Sequence, residues 1–147
     1  MLDDYLKTHG PRFEQELCQW LRIASVSADP ARREDIRRAA DWVAGQFREM
    51  GFAVETIETG GHPLVFAQSP PVDGAPTVLV YGHYDVQPPE PLDKWETPPF
   101  EPAVRDGHVF ARGAADDKGQ LFTHIKSAEA WIKTQGRLPV NLKYLIE

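Results

Sequence analysis

The fold prediction starts from residues 77–85, which read Thr77-Val-Leu-Val-Tyr-Gly-His-Tyr-Asp85. The segment Thr77–Tyr81 is almost continuously apolar and β-branched, a pattern typical of a strand buried on both faces of a sheet. Polar side chains capable of chemistry follow this strand directly. In α/β sheets, ligands bind beyond the carboxyl ends of strands. We therefore expect the functional site to begin at Gly82.

Two amphipathic helices and a hairpin precede this strand. Apolar residues recur at helical spacing over Phe13–Ala24 and again over Ile36–Met50, where Gly51 is placed to end the second helix. Alternating apolar and polar residues then predict strands over Phe52–Ile57 and His62–Gln68, joined as a hairpin.

A proline-rich loop follows the strand, and regular elements resume after it. Prolines forbid regular structure between Gly82 and Pro102. A short strand is then predicted over Gly107–Arg112, a helix over Lys118–Thr134 and a last strand over Val140–Glu147. This mixture of elements predicts the α/β class, with a mixed, largely parallel sheet flanked by helices.

The composition restricts the partners that fit this chain. Its 147 residues match one domain in size, and 16 Lys and Arg against 22 Asp and Glu give a formal net charge of −6. This acidity argues against nucleic acid or an anionic membrane as the main partner, since both need a cationic face. The single cysteine, Cys18, excludes an internal disulfide and suits the cytoplasm, the predicted location. No apolar run approaches the ~20 residues that span a bilayer.

His83 and Asp85 form the first candidate site. Residues i and i+2 of an extended segment point the same way, so both side chains lie on one face. A neutral imidazole is a good metal ligand, and a nearby carboxylate can orient the ring and fix its tautomer. The alternative interpretation is a pair of polar residues at a strand end.

Asp116 and Asp117 form the second candidate site, between a predicted strand and a predicted helix. Adjacent carboxylates repel each other unless a cation offsets their charge. A divalent metal is one such cation, and the neighbouring Lys118 is another. The alternative interpretation is an Asp that caps the following helix.

The two clusters together resemble a known family. The stretches that carry the resemblance are Val-Leu-Val-Tyr-Gly-His-Tyr-Asp-Val-Gln-Pro at 78–88, Trp95 with Pro98-Pro-Phe100, and Arg-Gly-Ala-Ala-Asp-Asp-Lys-Gly at 112–119. They resemble the M20 family of zinc metallopeptidases and amidohydrolases, most closely its dipeptidase (carnosinase-like) branch. The resemblance implies a zinc-aminopeptidase-like catalytic domain that is incomplete in residues 1–147.

The resemblance also implies roles for individual residues. His83 and Asp116 are the implied metal ligands, with Asp116 bridging two ions. Asp85 is the implied catalytic-site carboxylate that holds the imidazole, and Asp117 is structural, with a cis peptide bond between Asp116 and Asp117. The implied cofactor is Zn²⁺, two ions in a complete site, although Mn²⁺ or Co²⁺ would suit such ligands. Two ions sharing a water would activate it to cleave a peptide bond.

Several parts of such an enzyme are expected beyond Glu147. The resemblance places the general-base Glu, the remaining ligands, and the lid or dimerisation domain there. We therefore expect the 147-residue chain alone to be inactive and to expose an unpaired sheet edge that favours self-association. The full-length protein is expected to be a homodimer acting on a peptide or N-acyl amino acid, without nucleic acid or membrane partners.

Other functions and other residues remain open at this stage. The same scaffold could serve as an N-acyl-amino-acid deacylase or amidohydrolase, or as a non-catalytic binding domain that lost its metal site. Trp95 and Phe100 either line the substrate pocket or pin the proline-rich loop, and Cys18 is interpreted as a small buried hydrophobe. The other histidines are interpreted as surface or packing residues: His9, His62, His108 and His124.

Overall fold

Three helices and six strands account for the regular structure, and the computed structural model describes all 147 residues. The helices are α1 (Leu2–Leu21), α2 (Arg33–Glu49) and α3 (Lys118–Gln135). The strands are β1 (Ala53–Ile57), β2 (Leu64–Gln68), β3 (Thr77–Gly82), β4 (Ala103–Arg105), β5 (His108–Phe110) and β6 (Asn141–Ile146). No helix combines the length and apolar character required to cross a bilayer.

Helix α1 begins far earlier than the predicted start at Phe13. It starts at Leu2 and continues through Pro11, although a proline removes a backbone donor. A tertiary contact favours this extension, because Tyr5 in the second turn donates a hydrogen bond to Glu129 Oε1 of α3 at 2.8 Å. Packing against α3 therefore outweighs the local preference that limited the prediction.

The predictions of α2 and α3 are confirmed within a few residues at each end. Gly51 and Gly136 follow these two helices with φ of 81° and 74°. Only glycine adopts this left-handed backbone readily, so these residues mark the helix ends as the sequence predicted.

The main sheet has the strand order β1-β2-β6-β3 and is mixed, as predicted. β1 and β2 form the predicted hairpin, and β2 pairs with β6 in the antiparallel direction. Only β3 and β6, which α3 connects, run parallel. The prediction that the sheet is largely parallel is therefore wrong, because the return strand of the hairpin lies beside β6.

Strand β3 lies at the edge of the sheet, so the prediction that it is buried on both faces is wrong. It pairs only with β6. Leu79 and Tyr81 are each 61% exposed. The apolar run does reflect β-structure, but no element of this chain covers that edge or the face on which Leu79 and Tyr81 lie. The expected unpaired edge is confirmed.

The hydrophobic core lies on the opposite face of the sheet. The fully buried strand residues Val65, Ala67, Tyr144 and Ile146 share that face, since Val65 pairs with Ile146 and Ala67 with Tyr144. Helix α2 packs there through Phe47, whose ring centroid is 4.6 Å from that of Tyr144. All the large buried side chains of the sheet therefore face α2 and α3.

The proline-rich loop is packed and contains more structure than predicted. A single turn of 3₁₀ helix spans Leu92–Lys94, and the unpredicted strand β4 pairs with β5 in a short hairpin. Trp95 Nε1 donates to the carbonyl of Pro89 at 2.8 Å, and the Arg112 guanidinium lies over its ring at 5.3 Å. These contacts support the interpretation that Trp95 pins the loop.

Candidate metal site

Two loops bring His83 and Asp116 together. His83 follows the last residue of β3, and Asp116 lies just before the first residue of α3. The imidazole Nε2 is 3.1 Å from Asp116 Oδ1. The two predicted metal ligands therefore lie side by side at the carboxyl end of β3, where the sequence placed the functional site.

Two glycines permit this close approach of the loops. A Cβ on Gly82 would lie 2.8 Å from Asp117 Oδ2, and a Cβ on Gly119 would lie 1.9 Å from the carbonyl oxygen of Ala114. Because Gly82 has no Cβ, Asp117 Oδ2 can come close enough to accept a hydrogen bond from the backbone N–H of His83 at 3.2 Å. The bond between Asp116 and Asp117 is cis, as the resemblance implied.

Asp85 determines how the imidazole of His83 is oriented. Asp85 Oδ1 is 2.9 Å from Nδ1, and the Asp85 backbone carbonyl is 3.1 Å from the same nitrogen. Both are acceptors for a proton on Nδ1, and Asp116 Oδ1 is an acceptor for a proton on Nε2. When Nδ1 holds the proton of the neutral ring, the lone pair of Nε2 faces Asp116, where it is available to a cation.

Lys118 does not offset the charge of the adjacent carboxylates. Its side chain is fully buried, and Nζ donates to the carbonyls of Trp20 at 3.1 Å and Ile23 at 2.8 Å. Burial lowers the pKa of Lys118 to about 7. No Lys or Arg forms an ion pair with Asp116 or Asp117, and the imidazole of His83, when protonated, is the cation that lies beside Asp116.

Asp117 occupies the position before α3 but does not cap it with its side chain. Its carboxylate instead receives the backbone N–H of His83. The capping interpretation of the acidic pair therefore does not describe this helix.

The surroundings of His83 favour positive charge. Partial burial lowers the pKa of its imidazole, but the Asp85 carbonyl and the charges of Asp85, Asp117 and Asp116 together raise it above the ordinary value. The same carboxylates that favour a proton on the ring also favour a cation at Nε2.

The donor set at this point fits a metal ion in part. Imidazole nitrogen and carboxylate oxygen are ligands of zinc and of similar divalent ions. Two donors on one tetrahedral zinc lie roughly 3.4 Å apart, given bond lengths of about 2.0–2.2 Å, and the observed separation is 3.1 Å. No group of three or more His, Cys, Asp or Glu side chains gathers anywhere in the chain to complete such a site.

A cleft of about 580 Å³ opens beside His83, and we call it the His83 cleft. Its lining includes Ser27, His62, Tyr81 and Glu147. The hydroxyl of Tyr81 donates to Glu147 Oε1. His62 was predicted to be a surface or packing residue, but it lines this cleft with Nε2 3.3 Å from the carbonyl of Ser27. Its place in a predicted hairpin gave no signal of this proximity.

The other singled-out residues lie away from His83. His9 packs on Tyr5 with ring centroids 4.1 Å apart, His108 contacts the carbonyl of Asp106, and His124 is exposed on α3. Trp95 and Phe100 line other hollows of the surface. Cys18 is buried, as predicted.

Comparison with known proteins identifies a family that this chain resembles. The model of peptidase family M20/M25/M40 matches residues 79–147. A Cys-Gly metallodipeptidase of Schizosaccharomyces pombe is 36% identical over 92% of this chain and 31% of its own length. A succinyl-diaminopimelate desuccinylase of Bordetella pertussis is 38% identical over 71% of this chain and 27% of its own length.

A solved structure shares the fold. The crystal structure of human carnosine dipeptidase 1 superposes with a TM-score of 0.93 at 31% identity, covering all of this chain and 34% of that one. The chain spans about a third of the length of the curated relatives it matches.

Proposed function

The chain belongs to peptidase family M20/M25/M40, in its dipeptidase-like branch, and from that premise we propose that the whole protein hydrolyses the peptide bond of dipeptides with the help of a divalent metal, most simply Zn²⁺. Residues 1–147 form, in this proposal, the N-terminal part of the catalytic domain. His83 and Asp116 are the metal ligands that this part supplies.

One observation carries the proposal. His83 Nε2 and Asp116 Oδ1 face each other at 3.1 Å, and no Lys or Arg pairs with that carboxylate. With the proton on Nδ1, Nε2 and the carboxylate are both acceptors, and a metal ion between them would satisfy both. The S. pombe relative is named a metallodipeptidase, which agrees with a metal at this point.

Each residue has a separate task in this proposal. Asp85 holds the proton on Nδ1 and so keeps Nε2 unprotonated. Asp117 holds the backbone of His83, and Lys118 anchors the start of α3 to the end of α1. A bound divalent ion supplies Lewis acidity, which polarises a carbonyl and lowers the pKa of water. The His83 cleft lies beside the pair and offers space for substrate.

We propose that the 147-residue chain alone has no peptidase activity. Two converging donors are fewer than the three protein ligands that a catalytic zinc ordinarily has. The general base, the remaining ligands, the lid and the homodimer contacts are then supplied by sequence outside residues 1–147.

A second reaction of the same class is favoured by one relative. The desuccinylase of B. pertussis is 38% identical over the stretch it matches, and its name describes removal of an acyl group from an amino acid. Amide hydrolysis uses the same water chemistry on a different substrate. The full-length protein assayed with dipeptides and with N-succinyl and N-acetyl amino acids separates the two, because the ratio of kcat/KM values identifies the preferred bond.

Zinc binding to the purified chain tests the proposed ligands. Equilibrium dialysis is expected to show weak binding of Zn²⁺ by the native chain and its loss in His83→Gln and Asp116→Asn. His124→Gln is the matched control, since His124 is exposed on α3 and outside the cleft. Equal zinc in all four proteins would contradict the assignment.

A further inference from the structure

Ser27 lies one step behind the candidate metal ligands. Its hydroxyl donates a hydrogen bond to Asp85 Oδ2, while Asp85 Oδ1 faces the imidazole of His83 at 2.9 Å. We propose that Ser27 is a positioning residue that acts through Asp85 to hold His83 with Nδ1 protonated and Nε2 turned toward Asp116. The role toward a metal rests on the proposed function, whereas the role toward the imidazole does not.

Asp85 needs a second partner to hold one orientation. The terminal torsion of an aspartate is broad, so one hydrogen bond does not fix the plane of its carboxylate. The side chain of Asp85 is 29% exposed, so water can compete for its oxygens. With Ser27 on Oδ2 and His83 on Oδ1, both oxygens are engaged and the plane is set. The Asp85 backbone carbonyl is also within hydrogen-bond distance of Nδ1, at 3.1 Å.

The backbone holds Ser27 in place independently of its own side chain. The segment that contains it runs beside the residues after β3: Val86 N donates to the carbonyl of Ser25 at 2.8 Å, and Val26 forms a parallel bridge with Val86. Ser25 Oγ also donates to the carbonyl of Tyr84 at 2.7 Å. A substitution at Ser27, which is only half-buried, therefore removes the hydroxyl and leaves the segment in position.

Loss of the hydroxyl has a defined chemical consequence. Asp85 becomes free to rotate, and the proton of the neutral imidazole redistributes between Nδ1 and Nε2. A proton on Nε2 can hydrogen-bond to Asp116 Oδ1 at 3.1 Å, which blocks the lone pair that a metal requires. The tautomer of His83 is thus the quantity that Ser27 controls.

The imidazole nitrogen NMR of the metal-free 147-residue chain tests this directly. Spectra are recorded well above the pH at which histidine titrates, and the His83 signals are assigned by their loss in His83→Gln. In the native chain we expect Nδ1 to be protonated and Nε2 unprotonated. In Ser27→Ala we expect a mixture of the two tautomers, while Ser27→Thr, which keeps the hydroxyl, restores the native spectrum.

Two further measurements complete the test. Ser127→Ala removes an exposed serine of α3 and is expected to leave both the tautomer and the melting temperature unchanged. The dissociation constant for Zn²⁺ is expected to rise about threefold to tenfold in Ser27→Ala. Removing a group that contacts a metal ligand directly typically raises it about tenfold or more, and Ser27 acts only through Asp85.

The outcomes separate this inference from the proposed function. A His83 tautomer in Ser27→Ala identical to that of the native chain would overturn the role of Ser27, whatever the zinc affinity. An altered tautomer restored by Ser27→Thr supports it even if the native chain binds no zinc. In that case the proposed metal function fails and the positioning role stands.

Discussion

Gly119 is the glycine at which an added Cβ would make the shortest contact. A Cβ added there would lie 1.9 Å from the carbonyl oxygen of Ala114, and this backbone atom cannot move aside as a flexible side chain can. We expect Gly119→Ala to reduce the free energy of unfolding by at least about 2 kcal/mol, as overpacking in a confined space does.

Gly45 provides the matched control for that prediction. It lies inside α2 with no atom within 4 Å of an added Cβ. Gly45→Ala should raise the free energy of unfolding by about 0.5–1 kcal/mol, because alanine favours the helix interior. Urea denaturation measures both variants, and equal stability for Gly119→Ala and the native chain would show that the loop before α3 adapts.

At the residue scale, the sequence indicated the proposed ligands better than the residues that support them. His83, Asp85 and Asp116 carry their chemistry in their type and spacing. Ser27 is linked to this site only by tertiary hydrogen bonds that no local pattern encodes. Lys118 was considered as a cation that offsets the adjacent carboxylates, but its fully buried side chain donates to carbonyls at the end of α1 instead.

At the scale of elements, Lys118 joins the end of α1 to the start of α3. We expect Lys118→Met to reduce the free energy of unfolding by about 2–4 kcal/mol, because the buried carbonyls of Trp20 and Ile23 lose their donor. Lys133→Met, at an exposed position of α3, should have little effect. Thermal unfolding followed by circular dichroism compares the two, and similar melting temperatures would mean that water replaces the ammonium.

The contact between α1 and α3 also contains a group of paired charges. Glu129 of α3 is nearly buried and accepts hydrogen bonds from Arg12, Lys126 and Tyr5. Burial by itself raises the pKa of Glu129. The hydrogen bonds from these three donors outweigh burial and lower the pKa from an ordinary value of 4.5 to about 2. The ionised carboxylate therefore stabilises the packing of the two helices.

The sign of this shift predicts how stability depends on pH. Because the folded pKa of Glu129 lies below the unfolded one, its contribution is complete above about pH 4.5 and is lost as the pH falls toward 2. Glu129→Gln should flatten the decline in the free energy of unfolding across this range. Glu55→Gln, at an exposed position of β1 without an ion pair, is the control and should leave the decline unchanged. A decline as steep in Glu129→Gln as in the native chain would contradict the prediction.

Hydrophobic periodicity correctly predicted the elements whose packing partners lie within this chain. Helices α2 and α3 and the β1–β2 hairpin follow their patterns closely. The first half of α1 was missed because Gly10 and Pro11 interrupt its pattern, while contacts with α3 favour the helix. Strand β4 was missed because it has only three residues and follows directly on Pro102, the last proline of the predicted loop.

At the scale of the whole molecule, strand β3 leaves an uncharged edge open. Val78, Leu79 and Tyr81 are exposed along it, and its outer backbone groups have no neighbouring strand. Such an edge is a template for pairing with another chain. We expect the 147-residue chain to self-associate at high concentration, and Leu79→Lys to shift it toward the monomer, as measured by size exclusion with light scattering.

The control is an exposed valine outside the sheet edge. Val104→Lys, on the β4–β5 hairpin, replaces a side chain that is 45% exposed and should leave the association unchanged. A native chain that remains a clean monomer at high concentration would show that the open edge does not drive association.

The stretch that misled the prediction of burial for β3 is also part of the stretch that carries the family resemblance. An apolar, β-branched run such as Thr77–Tyr81 is suited to a buried environment, and the residues that follow it match the family over 79–147. The fold class was therefore predictable from this one stretch. The burial of the stretch was not, because burial depends on which elements surround it, and within this chain only β6 and one layer of helices do.

The central claim is that His83 and Asp116 hold a divalent metal, and anomalous diffraction at the zinc edge tests it most directly. Crystals of the 147-residue chain grown with Zn²⁺ should show an anomalous peak about 2.0–2.2 Å from both His83 Nε2 and an Asp116 carboxylate oxygen. A map with no peak between these two atoms at saturating zinc would contradict the account.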